Sequence, residues 1–322
     1  MSRFERAVEL QRHQAEIFHN PQYYVQEAYQ DIYTHNQVEV GWPEGAQRIF
    51  EDLARPNTVG VLGVELGDEG KGRVVDNKLE FLLSIPGVTI AYVDRDNGGN
   101  NAGHTAENDD VKLALHQVPS GVLHPEVIGI MDTGMSINPD DLMTEVNYVE
   151  SKVGDTRKKL ILSESAVLNT DLERAEELLN KRKQGKASGG TGRGIGPSYA
   201  HHYDRLGFHI FDLVAENWRE TLGEQYDRYQ REFNLYGLDI SQLEVPDLEQ
   251  FKKTGEASTR NIGTKAEFLD RLESARVWMI DRDMVQNTFL IHQEIAGDLS
   301  KGIVFEKPKQ SVYILGWEQD QI

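Results

Sequence analysis

The stretch Thr58-Val59-Gly60-Val61-Leu62-Gly63-Val64-Glu65-Leu66-Gly67-Asp68-Glu69-Gly70-Lys71-Gly72 decides the fold class. Its first seven residues are β-branched or apolar apart from two glycines, the composition of a strand buried on both faces. Glycines and acids follow, and from Val74 to Leu83 apolar residues return at helical spacing. Strand, glycine turn and helix in that order bring backbone N–H groups and a helix N-terminus to one point. An anion is favoured there, and Lys71 adds a positive charge. The turn is not a Walker A loop, because Glu65 stands where that loop has its first glycine and Gly72 where it has Ser or Thr. Acids inside it, Asp68 and Glu69, suit a phosphate that arrives with a metal ion.

Further along the chain the same alternation recurs. Val88 to Val93, Val127 to Met131 and Leu160 to Leu162 read as short apolar strands, and Pro139 to Lys152 and Asp171 to Lys183 as amphipathic helices between them. Strands that alternate with helices predict an α/β fold, a mostly parallel central sheet flanked by helices. Leu213 to Leu235 and Ala266 to Leu299 read as mainly helical, Gly302 to Glu306 returns to strand, and the charged run Glu249 to Lys265 is expected to be a solvated loop. Residues Met1 to Pro56 read as an added N-terminal helical segment, with Trp42-Pro43-Glu44 as one helix start. Apolar stripes at this spacing are usually packing surface, so the segment is expected to be a cap or a dimerisation arm.

Composition narrows the function. No cysteine is present among 322 residues, which removes disulfides, thiolate zinc sites and cysteine nucleophiles and suits a reducing compartment, the cytoplasm being the expected one. With 53 Asp+Glu against 34 Lys+Arg the net charge is −19, so no broad footprint for a nucleic-acid backbone is expected. The apolar runs fall far short of the roughly 20 residues that span a bilayer, and no membrane role is expected. Small anions must then be held by local, backbone-based sites.

Two more glycine-rich strings supply such sites. Gly98-Gly99-Asn100-Asn101-Ala102-Gly103-His104-Thr105 follows the second strand, at the kind of carboxyl-end loop where open α/β sheets bind ligands. A lone histidine is usually a surface or structural group, but here His104 stands among glycines and amides. Gly189-Gly190-Thr191-Gly192-Arg193-Gly194-Ile195-Gly196-Pro197 offers a hydroxyl and a guanidinium suited to a second phosphate, although alone it would also serve as a linker.

Gly67-Asp68-Glu69-Gly70-Lys71-Gly72, Asn101-Ala102-Gly103-His104-Thr105 and Thr191-Gly192-Arg193-Gly194-Ile195-Gly196-Pro197, in this order, closely resemble the adenylosuccinate synthetase family. His116-Gln117-Val118-Pro119-Ser120-Gly121 and Leu162-Ser163-Glu164 add to the likeness, which runs from about Val59 to Glu306. The resemblance implies a nucleotide-binding domain at 57–322 and a GTP-dependent ligase that joins L-aspartate to a 6-oxopurine nucleotide, IMP. It implies that Asp68 is the general base that takes the purine N1 proton, and that His104 is an acid or hydrogen-bond donor on the phosphates. It also implies that Lys71 and the loop from Gly67 to Gly72, with Gly103, His104 and Thr105, hold the GTP phosphates. Mg²⁺ would sit on Asp68 and the carbonyl of Gly103, while Asn101 and Thr191 would bind the purine nucleotide's phosphate. Arg205, in Tyr203-Asp204-Arg205-Leu206-Gly207, matches an arginine that reaches into a neighbouring subunit, so a homodimer is implied.

After Ile303-Val304-Phe305-Glu306 the family usually continues Gly-Ala-Gln, whereas Lys307-Pro308-Lys309-Gln310 stands here. Gln310 takes the place of the substrate-binding glutamine with one residue inserted. The family's aspartate-binding loop, arginine-rich stretch and guanine-recognition segment follow that point and have no equivalent in this sequence. Three readings are therefore open: a ligase acting on IMP, a phage-type relative acting on dGMP, and a non-catalytic nucleotide-binding or dimerising relic. Asp68 and His104 favour chemistry over a relic.

Overall fold

The computed structural model describes residues 58–62, 74–75, 79, 90–107, 111–184, 191–296 and 301–307. The N-terminal helical segment, Trp42-Pro43-Glu44 and the loop from Gly67 to Gly72 lie outside them, as does Gln310. Described strands are β1 (Thr58–Leu62), β2 (Ile90–Arg95), β3 (Gly98–Gly99), β4 (His104–Glu107), β5 (Lys112–Leu115), β6 (Val127–Met131) and β7 (Met135–Ile137). They continue with β8 (Leu160–Ser163), β9 (Val167–Leu168), β10 (Glu244–Pro246), β11 (Thr259–Asn261), β12 (Val285–Gln286) and β13 (Lys301–Lys307).

Six of these form one sheet in the order β1-β13-β2-β6-β8-β12, and every neighbouring pair in it is parallel, as the alternation of strands and helices predicts. Period-two alternation sends successive side chains to opposite faces. Met131, Leu160 and Leu162 join the larger core together with Leu142, Val146 and Val149 of α1 (Pro139–Val153). Tyr92, Ile128, Ile130 and Ile161 point the other way, against Ile291 and Ile295 of α8 (Thr288–Ala296).

Local chemistry sets the helix ends. Asn138 caps α1 by accepting from the Asp141 N–H at 3.0 Å, Pro139 occupies its first turn, and Gly154 at φ 85° ends it. The other helices are α2 (Asp171–Gln184), α3 (Ile195–Tyr203), α4 (Ile210–Val214), α5 (Trp218–Asn234), α6 (Leu248–Thr254) and α7 (Lys265–Asp281). One expectation is corrected. Glu249 to Lys265 is not simply a loop: Asp247 caps α6, Gly255 in the left-handed region ends it, and β11 pairs antiparallel with β10. Over its described residues the stretch from Ala266 is mainly helical as expected, in α7 and α8, with the chain breaking after Asp281 to add β12 to the sheet edge between them. None of the described helices is long and apolar enough to cross a membrane.

Candidate active site

From β2 the chain passes directly into the second glycine loop. Gly98 has φ 82°, and a Cβ on Gly99 would lie 2.3 Å from the Ser136 carbonyl oxygen, so the parallel pairing of β3 with β7 requires glycine there. Arg95, fully buried beneath the loop, donates to the carbonyl of His116 at 2.5 Å. Tyr199 of α3 braces it from the side, accepting from the Gly98 N–H at 2.9 Å and donating to the Gly134 carbonyl at 2.7 Å. Burial pushes the Tyr199 phenol up to about 12, so it remains a donor at neutral pH. Asn100 turns inward and donates to Asp141 Oδ2 at 2.7 Å, whereas Asn101 and Gly103 are exposed. A Cβ on Gly103 would meet nothing within 4 Å, so its peptide lies open to approach.

The third loop is held from within. Gly192 and Gly194 donate their N–H groups to the two oxygens of Glu177 on α2, at 2.9 and 2.7 Å. Arg193 lies 3.5 Å from Asp141 Oδ2. These amides and this guanidinium therefore meet protein carboxylates instead of standing ready for a second phosphate. Thr191, ahead of them, is exposed. Asp141, in the first turn of α1, thus meets Asn100 of one loop and Arg193 of the other, and it also pairs with the fully buried Arg174 of α2. Arg174 is 3.2 Å from Asp171, which in turn meets Arg260 at 2.7 Å and Arg271 at 3.2 Å. Burial alone would raise the Asp171 carboxyl, but Arg260 and Arg174 hold it below the ordinary range.

Residues 60–278 match the adenylosuccinate synthetase family. The chain belongs to that family. It is 37% identical over 167 residues to the adenylosuccinate synthetases of Clostridium botulinum strains Eklund 17B and Alaska E43, a match covering 51% of this chain and 37% of each relative. The fully ligated adenylosuccinate synthetase of Plasmodium falciparum superposes with a TM-score of 0.60 at 28% identity, over 78% of this chain and 51% of that one. The match thus spans well under two thirds of these relatives' own length.

Of the residues the resemblance singles out, Asn101, Gly103 and Thr191 belong to two loops tied to one carboxylate. His104 and Thr105 open β4, where the His104 backbone is paired with Leu115 of β5, and their side chains lie outside the described residues. Gly67, Asp68, Glu69, Gly70, Lys71 and Gly72 follow β1, and Gln310 follows β13. Those strands end level with each other, Leu62 beside Lys307, and Glu306 lies beside Arg95 of β2. The carboxyl ends of these three adjacent strands therefore lie along one edge of the sheet, where α/β sheets bind ligands. Arg205 lies beyond the end of α3 opposite Ile195, exposed and at φ 60°, in a hollow lined in part by His202, Tyr203, Phe208 and Phe211.

Sequence reading missed Arg95, Asp141, Glu177 and Tyr199, which position the loops. It also missed Asp94, Asp132 and His292, which converge on the other face of the sheet. Charge inside the strand run Val93-Asp94-Arg95 was the available signal, since a strand buried on both faces rarely carries it.

Proposed function

We propose that the chain is a GTP-dependent carbon–nitrogen ligase of purine nucleotide biosynthesis that joins L-aspartate to IMP. The observation that carries this reading is the pair of glycine loops fixed at one edge of the parallel sheet through Asp141, which leaves Asn101, Gly103 and Thr191 exposed in a chain of this family. Asn101 and Thr191 would bind the IMP phosphate, and Gln310 the purine side of the nucleotide. Asp68 takes the N1 proton, the electron pair moves to O6, and O6 attacks the γ-phosphate of GTP with GDP leaving. The aspartate amine then attacks C6 and phosphate departs. Lys71, with Gly67, Glu69, Gly70, Gly72 and Thr105, holds the GTP phosphates, and His104 donates a hydrogen bond to them as charge moves. The open approach to the Gly103 peptide fits an ion at its carbonyl, so Mg²⁺ would be held by that carbonyl and Asp68, where it offsets phosphate charge.

Arg205 would reach the partner's nucleotide in a symmetric homodimer. The exposure of Tyr203, Leu206 and Phe211 around it supports an interface. The family's reaction favours the cytoplasm. The test is phosphate release from GTP with Mg²⁺, varying IMP, dGMP and L-aspartate. IMP-dependent release that falls by roughly 10²-fold or more in Asp68→Asn is expected, the scale for loss of a general base. Turnover with dGMP in place of IMP would reassign the substrate, and nucleotide-independent release unchanged in Asp68→Asn would refute the reading.

A further inference from the structure

Opposite the large core, each of three adjacent strands ends in a polar residue on the face that α8 covers. Alternation gives Tyr92 then Asp94 on β2, Ile128 and Ile130 then Asp132 just past β6, and Ile161 then Ser163 on β8. Helical spacing on α8 presents Thr288, Ile291, His292 and Ile295 to that face. Apolar residues of the two elements pack together, and their polar residues meet at the carboxyl edge.

His292 Nε2 contacts Asp94 Oδ2, and Thr288 Oγ1 bonds Asp132 Oδ1 at 2.5 Å and Ser163 at 3.0 Å. Asp94, Asp132 and His292 offer ligand atoms that all lie within 4.8 Å of one another. Asp94 is fully buried, yet its Oδ1 has no hydrogen-bond partner. A buried carboxylate oxygen left unmatched is costly and calls for an unseen partner. His292 is half-buried, so solvent reaches the cluster along α8.

We propose that Asp94, Asp132 and His292 form a binding site for a first-row divalent transition metal, with a ligand set different from the Asp68 and Gly103 proposed for Mg²⁺. One imidazole beside two carboxylates selects such ions over Mg²⁺, which takes oxygen ligands almost alone. Thr288, itself bonded to Ser163, fixes Asp132 from behind, the outer-shell support that metal-binding carboxylates commonly have. The site stands on these side chains alone and does not depend on the ligase reading.

The experiment is a titration with Co²⁺, followed by Zn²⁺, of untagged, chelator-treated full-length protein without Mg²⁺ or nucleotide. One Co²⁺ per chain is expected, with visible absorption bands and displacement by Zn²⁺. His292→Gln and Asp132→Asn should each weaken binding by about 100-fold or more, at or beyond the range for outer-shell losses, while Asp68→Asn leaves it unchanged. His292 is half-buried on a helix flank, so its substitution should leave the far-ultraviolet circular dichroism intact. No stoichiometric binding by the unmodified protein, binding undiminished by His292→Gln, or displacement of Co²⁺ by equimolar Mg²⁺ would each overturn the proposal.

Discussion

Arg174 sits with no exposure between Asp141 and Asp171, and its partners reach into both glycine loops and to α7. Arg174→Met leaves those two carboxylates facing each other in a buried site without their shared cation. A loss of about 3–5 kcal/mol is expected for breaking such a pair from one side, measured by urea unfolding. A cost below 1 kcal/mol would mean that water replaces the guanidinium. Gly99→Ala forces a Cβ to within 2.3 Å of the Ser136 carbonyl oxygen. It should therefore lower both stability and nucleotide affinity, since the β3–β7 pairing that shapes the loop has to shift. The glycines were legible because their spacing reports backbone geometry. Asp141 and Glu177 were not, because a carboxylate on an amphipathic helix looks solvent-facing until the loop it serves is folded over it.

Between elements, Arg282 just past α7 clamps Glu150 of α1 with two bonds of 2.8 and 2.6 Å, and Thr156 adds two more to the same carboxylate. Burial opposes ionisation of Glu150, but the bonds from Arg282 and Thr156 outweigh it and hold the carboxyl down at about 2, against an ordinary 4.5. A carboxyl lowered on folding contributes stability that is complete above its unfolded value and is lost as pH falls toward the folded one. Glu150→Gln should therefore destabilise the protein near neutral pH, with the difference from the parent shrinking between pH 4.5 and about 2. A constant difference across that range would contradict the assignment. Strands and helices with clean periodicity, such as Val127–Met131 and Pro139–Val153, could be read from sequence to within a residue or so. The charged run after Glu249 could not, because α6 and β11 draw their order from the Asp247 cap, the Gly255 turn and pairing with β10 more than from any apolar stripe.

At the scale of the whole molecule, a chain of net charge −19 binds anionic nucleotides only where backbone amides, loop cations and a metal ion outweigh its own field. On the proposed reading the carboxyl edge of the parallel sheet is that place, and a two-fold partner would add Arg205. Arg205→Ala should weaken nucleotide binding and leave the fold unchanged, checked by calorimetry beside sedimentation. A monomer with affinity unaffected by the substitution would remove the partner's arginine from the site. The central claim, that this edge is a purine-nucleotide site working with Mg²⁺, is tested most directly by calorimetric titration of the full chain with GTP and with IMP, each with Mg²⁺ and with chelator. Saturable binding that requires Mg²⁺ for GTP is the expected result. No heat with GTP, ATP, IMP or dGMP at millimolar concentration would contradict it.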